Sequence, residues 1–283
     1  MPTYNTPTPI DLAINVQVGR IEVFASDRTD TVVTVSPSSS TRAIDRRGVE
    51  QTKVTFEDQR LSIIGPKPRI SWIGSGPTES VDVKVELPTG SRLTAEIAVG
   101  GVRTVGRLGA TRVKNSTGAI DVDTTGDLWL RAGHGGTTVG TADGGIDITA
   151  SYGQIRIGTV TGDALLKSSY GGIQIGESGG DLEAKLSYGD LDITKALGSV
   201  TAKTAFGGIQ LGEVSSGSIQ VESGFGLVTI GVRSGVPAWL DLVSKDGQVR
   251  NELAGDAAPD TSAHTVAVRV RTQSGDVTIQ RAR

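Results

Sequence analysis

The sequence predicts an all-β fold of the solenoid (β-helix) type, a single chain wound into coils of about eighteen residues. Three observations carry this. First, the chain repeats itself between Ser116 and Ile230, most clearly in Ser151-Tyr-Gly-Gln-Ile-Arg-Ile157, Ser169-Tyr-Gly-Gly-Ile-Gln-Ile175, Ser187-Tyr-Gly-Asp-Leu-Asp-Ile193 and Ala205-Phe-Gly-Gly-Ile-Gln-Leu211. A fifth copy, Gly224-Phe-Gly-Leu-Val-Thr-Ile230, follows one residue late, and degenerate copies begin at Ser116 and Gly133. Second, apolar and polar residues alternate with period two through most of the chain, as half-buried strands require. Third, 39 of 283 residues are glycine, close to twice the usual share of about 7% and without a collagen period, which fits many tight turns.

Each repeat is too short to bury its own apolar face, so copies must stack, with equivalent residues about 4.8 Å apart in a parallel ladder. Residues 1–9 are polar and proline-rich and read as a flexible lead-in. From Ile10 to residue 115 alternation is present but irregular, and two polar stretches, Ser36–Arg47 and Gly65–Pro77, read as loops. Residues 116–230 form the regular coils, each with two strands. Ile155/Ile157, Ile173/Ile175, Leu191/Ile193 and Ile209/Leu211 are the inward residues of one strand; Ile146/Ile148, Ala164/Leu166, Leu182/Ala184 and Val200/Ala202 are those of the other. Gly126-Asp127, Gly162-Asp163, Gly180-Asp181 and Gly198-Ser199 are expected at the corners, where left-handed or tight backbone is needed. Residues 231–283 read as capping strands with a polar loop at 255–263, giving a single solenoid domain over 10–283.

Composition narrows the functional classes. The core must be thin, since only 4% of residues are Phe, Trp or Tyr. The formal charge is −3, with 28 basic and 31 acidic residues intermixed, so nucleic acid finds no basic footprint. The absence of cysteine excludes disulfides and thiolate metal sites. The first residues lack a basic segment followed by an apolar one, and no apolar run is long enough for membrane insertion. A cytoplasmic location is the expectation, with secretion by a non-standard route as the alternative. No cofactor, metal or catalytic motif is recognised: His134 and His264 are far apart, and the glycine pairs precede strands instead of the helix a phosphate loop needs.

Three columns remain as candidates. Tyr152, Tyr170, Tyr188, Phe206 and Phe225 should lie above one another at a corner, with His134 and Thr117 continuing the line. They read first as a stacked ladder that fixes register and second as rings offered to a sugar or a protein partner. Lys167, Lys185 and Lys203 form a basic column that ends at Glu222. It reads first as edge protection and second as an anion stripe. Asp127, Asp163 and Asp181 form a corner column, with Asp190 and Asp192 on another side. Turn capping explains these more simply than shared calcium or a carboxylate pair of a polysaccharide hydrolase. Outside the columns, Trp72 in its Gly/Pro-rich loop and Trp239 near the C-terminal cap could touch a partner.

Ala25-Ser-Asp-Arg-Thr-Asp-Thr-Val-Val33, Val85-Glu-Leu-Pro-Thr-Gly-Ser91, Gly106-Arg-Leu-Gly109, Ala202-Lys-Thr-Ala-Phe-Gly207, Ala238-Trp-Leu-Asp-Leu242 and Ser274-Gly-Asp-Val-Thr-Ile279 resemble the bacterial β-strand-repeat family of unknown function catalogued as "putative adhesins", especially its cytoplasmic-looking actinobacterial members. The resemblance implies a β-solenoid and transfers no activity or site residues. The expected function is a non-enzymatic structural or protein-interaction module with an unknown protein partner. The alternatives are a self-assembling scaffold of the bactofilin type and a carbohydrate-binding protein using the aromatic column.

Overall fold

The computed structural model describes residues 2–66, 78–253 and 265–282. It is nearly all strand and coils as a parallel β-solenoid, as the repeat predicts. The chain packs as two compact units, Met1–Gly140 and Thr141–Arg283. Trp72 and the loop 255–263 lie outside the described residues.

In the second unit, equivalent strands of successive coils pair in parallel and in register. Ala164–Tyr170 lies between Ile146–Tyr152 and Leu182–Tyr188, and Ile173–Ser178 lies between Ile155–Val160 and Leu191–Ala196. The sixteen inward residues named above, from Ile146 to Leu211, are all at most 4% exposed. Large and small side chains share the lumen: Leu166 stacks on Ala184, which stacks on Ala202. Alternation thus has a direct cause, since one parity faces an interior only two side chains wide and the other faces water.

The corners correct one expectation. Gly162, Gly180 and Gly198 do not adopt positive φ. They are glycine because an added Cβ would lie 2.5–2.7 Å from backbone or Asp163 atoms of the preceding coil. The left-handed residue is instead the glycine after each aromatic. At Gly171 φ is +144°, its N–H donates to the Tyr188 carbonyl at 2.9 Å, and a Cβ would sit 2.1 Å from the Gly153 carbonyl oxygen.

Past the regular coils the order in space departs from the order in sequence. Val266–Ser274 inserts between Gly217–Phe225 and Ala238–Asp246, parallel to both, and Val277–Arg281 likewise lies between Val228–Val232 and Val249–Asn251. The outermost rung of this unit is therefore Ala238–Asn251, not the C-terminal strands.

The first unit uses the same device. Asp11–Ser26 inserts between Arg92–Arg107 on one side and Arg60–Ile64 with Val81–Pro88 on the other, all parallel. The rung Arg60–Ile64/Val81–Pro88 is then covered by antiparallel strands. Lys53–Glu57 pairs with the former, Asp30–Pro37 with the latter, and Thr3–Asn5 pairs with Asp30–Pro37. The lead-in read as flexible is thus a strand end, anchored where the buried Thr6 and Thr31 hydroxyls meet at 2.8 Å.

A helix, Ala43–Gln51, begins within the stretch Ser36–Arg47 read as a polar loop. Nine residues are too few to be helical on propensity alone. Its buried Asp45 accepts the Ser80 N–H at 3.1 Å, and Gly48 lets the helix approach Glu79 so closely that a Cβ would meet the Glu79 Cβ at 2.9 Å. Tertiary contact, not a repeating apolar face, makes this segment helical.

Candidate functional site

The strongest surface feature is built on the second unit. Each strand that ends in the aromatic presents a charged or polar residue outward, then a buried residue, then a small exposed residue and the ring: Lys167, Ser168, Ser169 and Tyr170, for example. The bend after the ring, at the left-handed glycine, turns the ring outward instead of into the lumen. Tyr152, Tyr170, Tyr188, Phe206 and Phe225 stack with centroids 4.8, 5.1, 5.0 and 5.1 Å apart and planes within 4° of parallel. Each ring is nevertheless 44–53% exposed. A third ring inserted between two others would need a gap of roughly 7 Å, twice the contact distance of carbon atoms. The ladder therefore offers edges and Tyr hydroxyls to a ligand along its length, not faces.

The basic column runs beside it in the expected register: Thr149, Lys167, Lys185, Lys203, Glu222 and then Arg271. Stacked like charges are relieved locally. Lys185 pairs with Glu183, Lys203 with Glu222 at 2.8 Å, and Arg271 with Asp241 at 2.6 Å. The hydrogen bond from Lys185, aided by the charges of Lys185, Lys167 and Lys203, holds the Glu183 carboxyl below its usual value. Hydrogen bonding to Arg271 and then Arg269 does the same for Asp241. Between this column and the ladder runs a shallow groove of about 580 Å³, floored by small positions such as Ala205 and Gly224 and edged by Lys203, Lys245 and Val243. Sequence reasoning named both columns but not the groove, which opens where the position between them is Ala205 and then Gly224 and is bounded by Gln273 and Lys245 at the same position of the last two rungs.

The aspartates have structural partners. Asp163 accepts the Asp181 N–H at 3.0 Å, Asp181 the Ser199 N–H at 2.9 Å, and Asp190 the Gly208 N–H at 2.7 Å, in each case eighteen residues on. Each carboxylate thus caps the next coil and satisfies a corner N–H that the strand ladder leaves over. Among the described residues no group of three His, Cys, Asp or Glu side chains is arranged to hold a metal ion.

Trp239 lies in Ala238–Asp246 and is 55% exposed, so it does not fold over the end of the core as a cap would. It is far along the chain from the ladder tyrosines and belongs to a different feature, the terminal rung. In the first unit, His134 does stack above Thr117 in register. One aromatic escaped the sequence reading. Trp129 lies under the Arg112 guanidinium at 3.5 Å from the ring centroid, with Arg131 at 4.3 Å. Such cation–π contacts contribute about 0.5–2 kcal/mol. The signal was legible in principle, since Arg112 stands seventeen residues before Trp129 and Arg131 two after it on the same face.

Among described residues no helix is long and apolar enough to cross a membrane. No curated protein matches the chain. Among solved structures, it is similar to a "putative adhesin" from Parabacteroides distasonis at 12% identity and a TM-score of 0.41, covering 98% of this chain and 95% of that one. It is also similar to a "putative cell adhesion protein" from Clostridium sporogenes at 10% identity and a TM-score of 0.26, covering 99% and 98%. A third is a "putative lipid binding protein" from Parabacteroides distasonis at 9% identity and a TM-score of 0.33, covering 100% and 96%. The sequence model of one family matches residues 11–280, nearly the whole chain, and with the parallel coils, corner caps and inserted end strands on view the protein belongs to the Toastrack DUF4097 family.

Proposed function

We propose that the chain is a non-enzymatic interaction module that holds a protein partner against the ladder face of its second unit. The supporting observation is the half-exposed row of five rings beside a groove with a basic edge. Half-exposed aromatics are costly to leave in water and are the residue type most often found at the energetic centre of interfaces. The coils fix their spacing, so a partner meets a preorganised surface and little ordering cost falls on this side. A cytoplasmic location is part of the proposal, to be checked by fractionation of the native cell.

The test leaves the ladder intact and obstructs the groove. Ala205→Trp fills the exposed groove floor and Ser187→Trp the small position one rung before it. Cross-linking in the native cell, followed by identification of captured proteins, should give a partner with wild type that is lost with the double variant while the melting temperature stays within a few degrees. A partner retained by the double variant contradicts the reading. Carbohydrate binding is separated by a glycan array, with the Tyr152/Tyr170/Tyr188→Ala triple variant as control. Capture of a glycan through these rings by the wild type alone would replace the protein partner with a sugar.

A further inference from the structure

The second unit ends in an unfinished sheet. Among described residues, Ala238–Asp246 pairs only with Val266–Ser274, and Val249–Asn251 only with Val277–Arg281. The core stops with them. Val268 and Val270 are fully buried, but Leu240 and Leu242, which stack on them in register, are only half-buried. Val277 is fully buried, yet its neighbour Val249 is 44% exposed. Trp239 and Val243, on the outer face of the same strand, are 55% and 48% exposed. Among the described residues this end therefore leaves one row of backbone groups, the end of the apolar lumen and a tryptophan uncovered together. Exposed edges of this kind recruit another strand unless they are blocked by bulges, proline, charges or a covering element.

We propose that the occupant is a second copy of this chain, joined by antiparallel pairing of Ala238–Asp246 with itself about Leu242. The strand is self-complementary in that register. Trp239 stands opposite Lys245, Ala238 opposite Asp246, Leu240 opposite Ser244 and Asp241 opposite Val243, with Leu242 against its own copy. No like charges face each other, and a Lys beside a Trp ring is a favourable pair. Centring one residue earlier would place Asp241 against Asp241. Centring one residue later would leave Trp239 beyond the partner strand. On the inward face Leu242 meets its own copy, with Leu240 of each chain diagonal to it across the junction.

Pairing of this kind closes on itself. The terminal rung of the first unit is covered by antiparallel strands, so it offers no matching parallel rung for a third copy. The expected product is a dimer, not the filament of a bactofilin-type scaffold. It shares Val243 and Lys245 with the groove's edge, but Trp239→Lys alters the strand edge without touching the groove, and Ser187→Trp with Ala205→Trp alters the groove without touching the edge, so either proposal can fail without the other.

Sedimentation equilibrium of the full chain across a wide concentration range should show a monomer of 29.3 kDa in equilibrium with a species of twice that mass. Trp239→Lys places a lysine opposite Lys245 and should weaken the dimer at least tenfold. Adding Lys245→Glu makes that pair attractive and should restore most of the affinity. Both positions are exposed in the single chain, and unchanged melting of the dilute variants shows that they fold. A strict monomer at every concentration overturns the proposal. So does a dimer indifferent to Trp239→Lys, and so does one that Lys245→Glu fails to rescue, since its strands would then not be paired about Leu242.

Discussion

The outermost rung of the first unit and that of the second are made from the same parallel strands and are finished in opposite ways. Over Arg60–Ile64 and Val81–Pro88 the chain lays antiparallel strands and a helix, so Leu61, Ile63, Val83 and Val85 are almost entirely buried. Over Ala238–Asp246 and Val249–Asn251 no described residue pairs, and the equivalent apolar positions stay half in water. The polar ties differ as well. Arg28 in the first unit, in the turn before Asp30–Pro37, bonds both Asp30 of that cover strand and Glu86 of the rung, whereas Asp241 in the second ties the last rung back to Arg269 and Arg271 of the rung beneath. The difference teaches that a solenoid end is closed by reversing strand direction, because an antiparallel strand stops the pattern from being continued by another coil. An end left parallel remains a template.

Four comparisons sharpen or break this view. The largest effect is expected at the inserted rung. Gly275 has φ +139° and a Cβ there would lie 2.0 Å from the Gly226 carbonyl oxygen. That oxygen is near only because Val266–Arg281 lies inside the stack. Gly275→Ala should therefore cost about 4 kcal/mol or more in urea unfolding, beyond the range of ordinary substitutions. Gly235→Ala, with φ +79° and nothing within 4 Å, should cost only the backbone strain of about 1–3 kcal/mol. Equal losses would mean that the rung order is wrong.

Next come the ends themselves. Leu61→Ala removes a fully buried side chain under the cover and should cost roughly 2–5 kcal/mol. Leu240→Ala, measured at a dilution where the chain is monomeric, should cost less than half as much, because its side chain is already half in water. The ladder gives the third comparison. Tyr188→Ala loses two stacked neighbours and should cost about 1–3 kcal/mol, against about 0.5–1.5 kcal/mol for Phe225→Ala, which loses one.

The smallest effect is on pH dependence. Bonding to Lys84 and Arg28 lowers the Glu86 carboxyl from 4.5, and bonding to Arg271 and Arg269 lowers that of Asp241 from 3.8. A depressed carboxylate contributes stability above its unfolded value and loses it as pH falls through the folded one. Urea midpoints should accordingly be flat above the ordinary carboxylate range and decline below it. Both carboxylates are half-buried and still reached by solvent, so Asp241→Asn and Glu86→Gln should each flatten that decline only slightly.

Much of this architecture could be read from the residues. The eighteen-residue spacing gave the parallel register, and the parity of Ile155, Ile157 and their equivalents gave the core, because stacking leaves a side chain only two directions to face. What lay beyond reading has physical causes. Val266–Ser274 carries the same alternation as any coil strand, and alternation says which face is buried but not which strand is the neighbour, so its insertion is invisible. Ala43–Gln51 lacks a helical apolar stripe and is held by Asp45 and Gly48 against distant residues. The corner glycines were predicted to take left-handed backbone, but Gly180 is small for a steric reason that only the preceding coil supplies. The columns of the candidate site were legible for the same reason as the register; the groove between them needed the bend after each ring.

The open end is tested most directly by amide hydrogen exchange of the full chain at low and high protein concentration. The outward-facing amides of Ala238–Asp246, those not bonded to Val266–Ser274, should exchange quickly in dilute solution and become protected as concentration rises, while those of Val81–Pro88 under the antiparallel cover stay equally protected throughout. Protection of Ala238–Asp246 that is the same at every concentration would contradict the claim that this edge is where the molecule is continued by another copy.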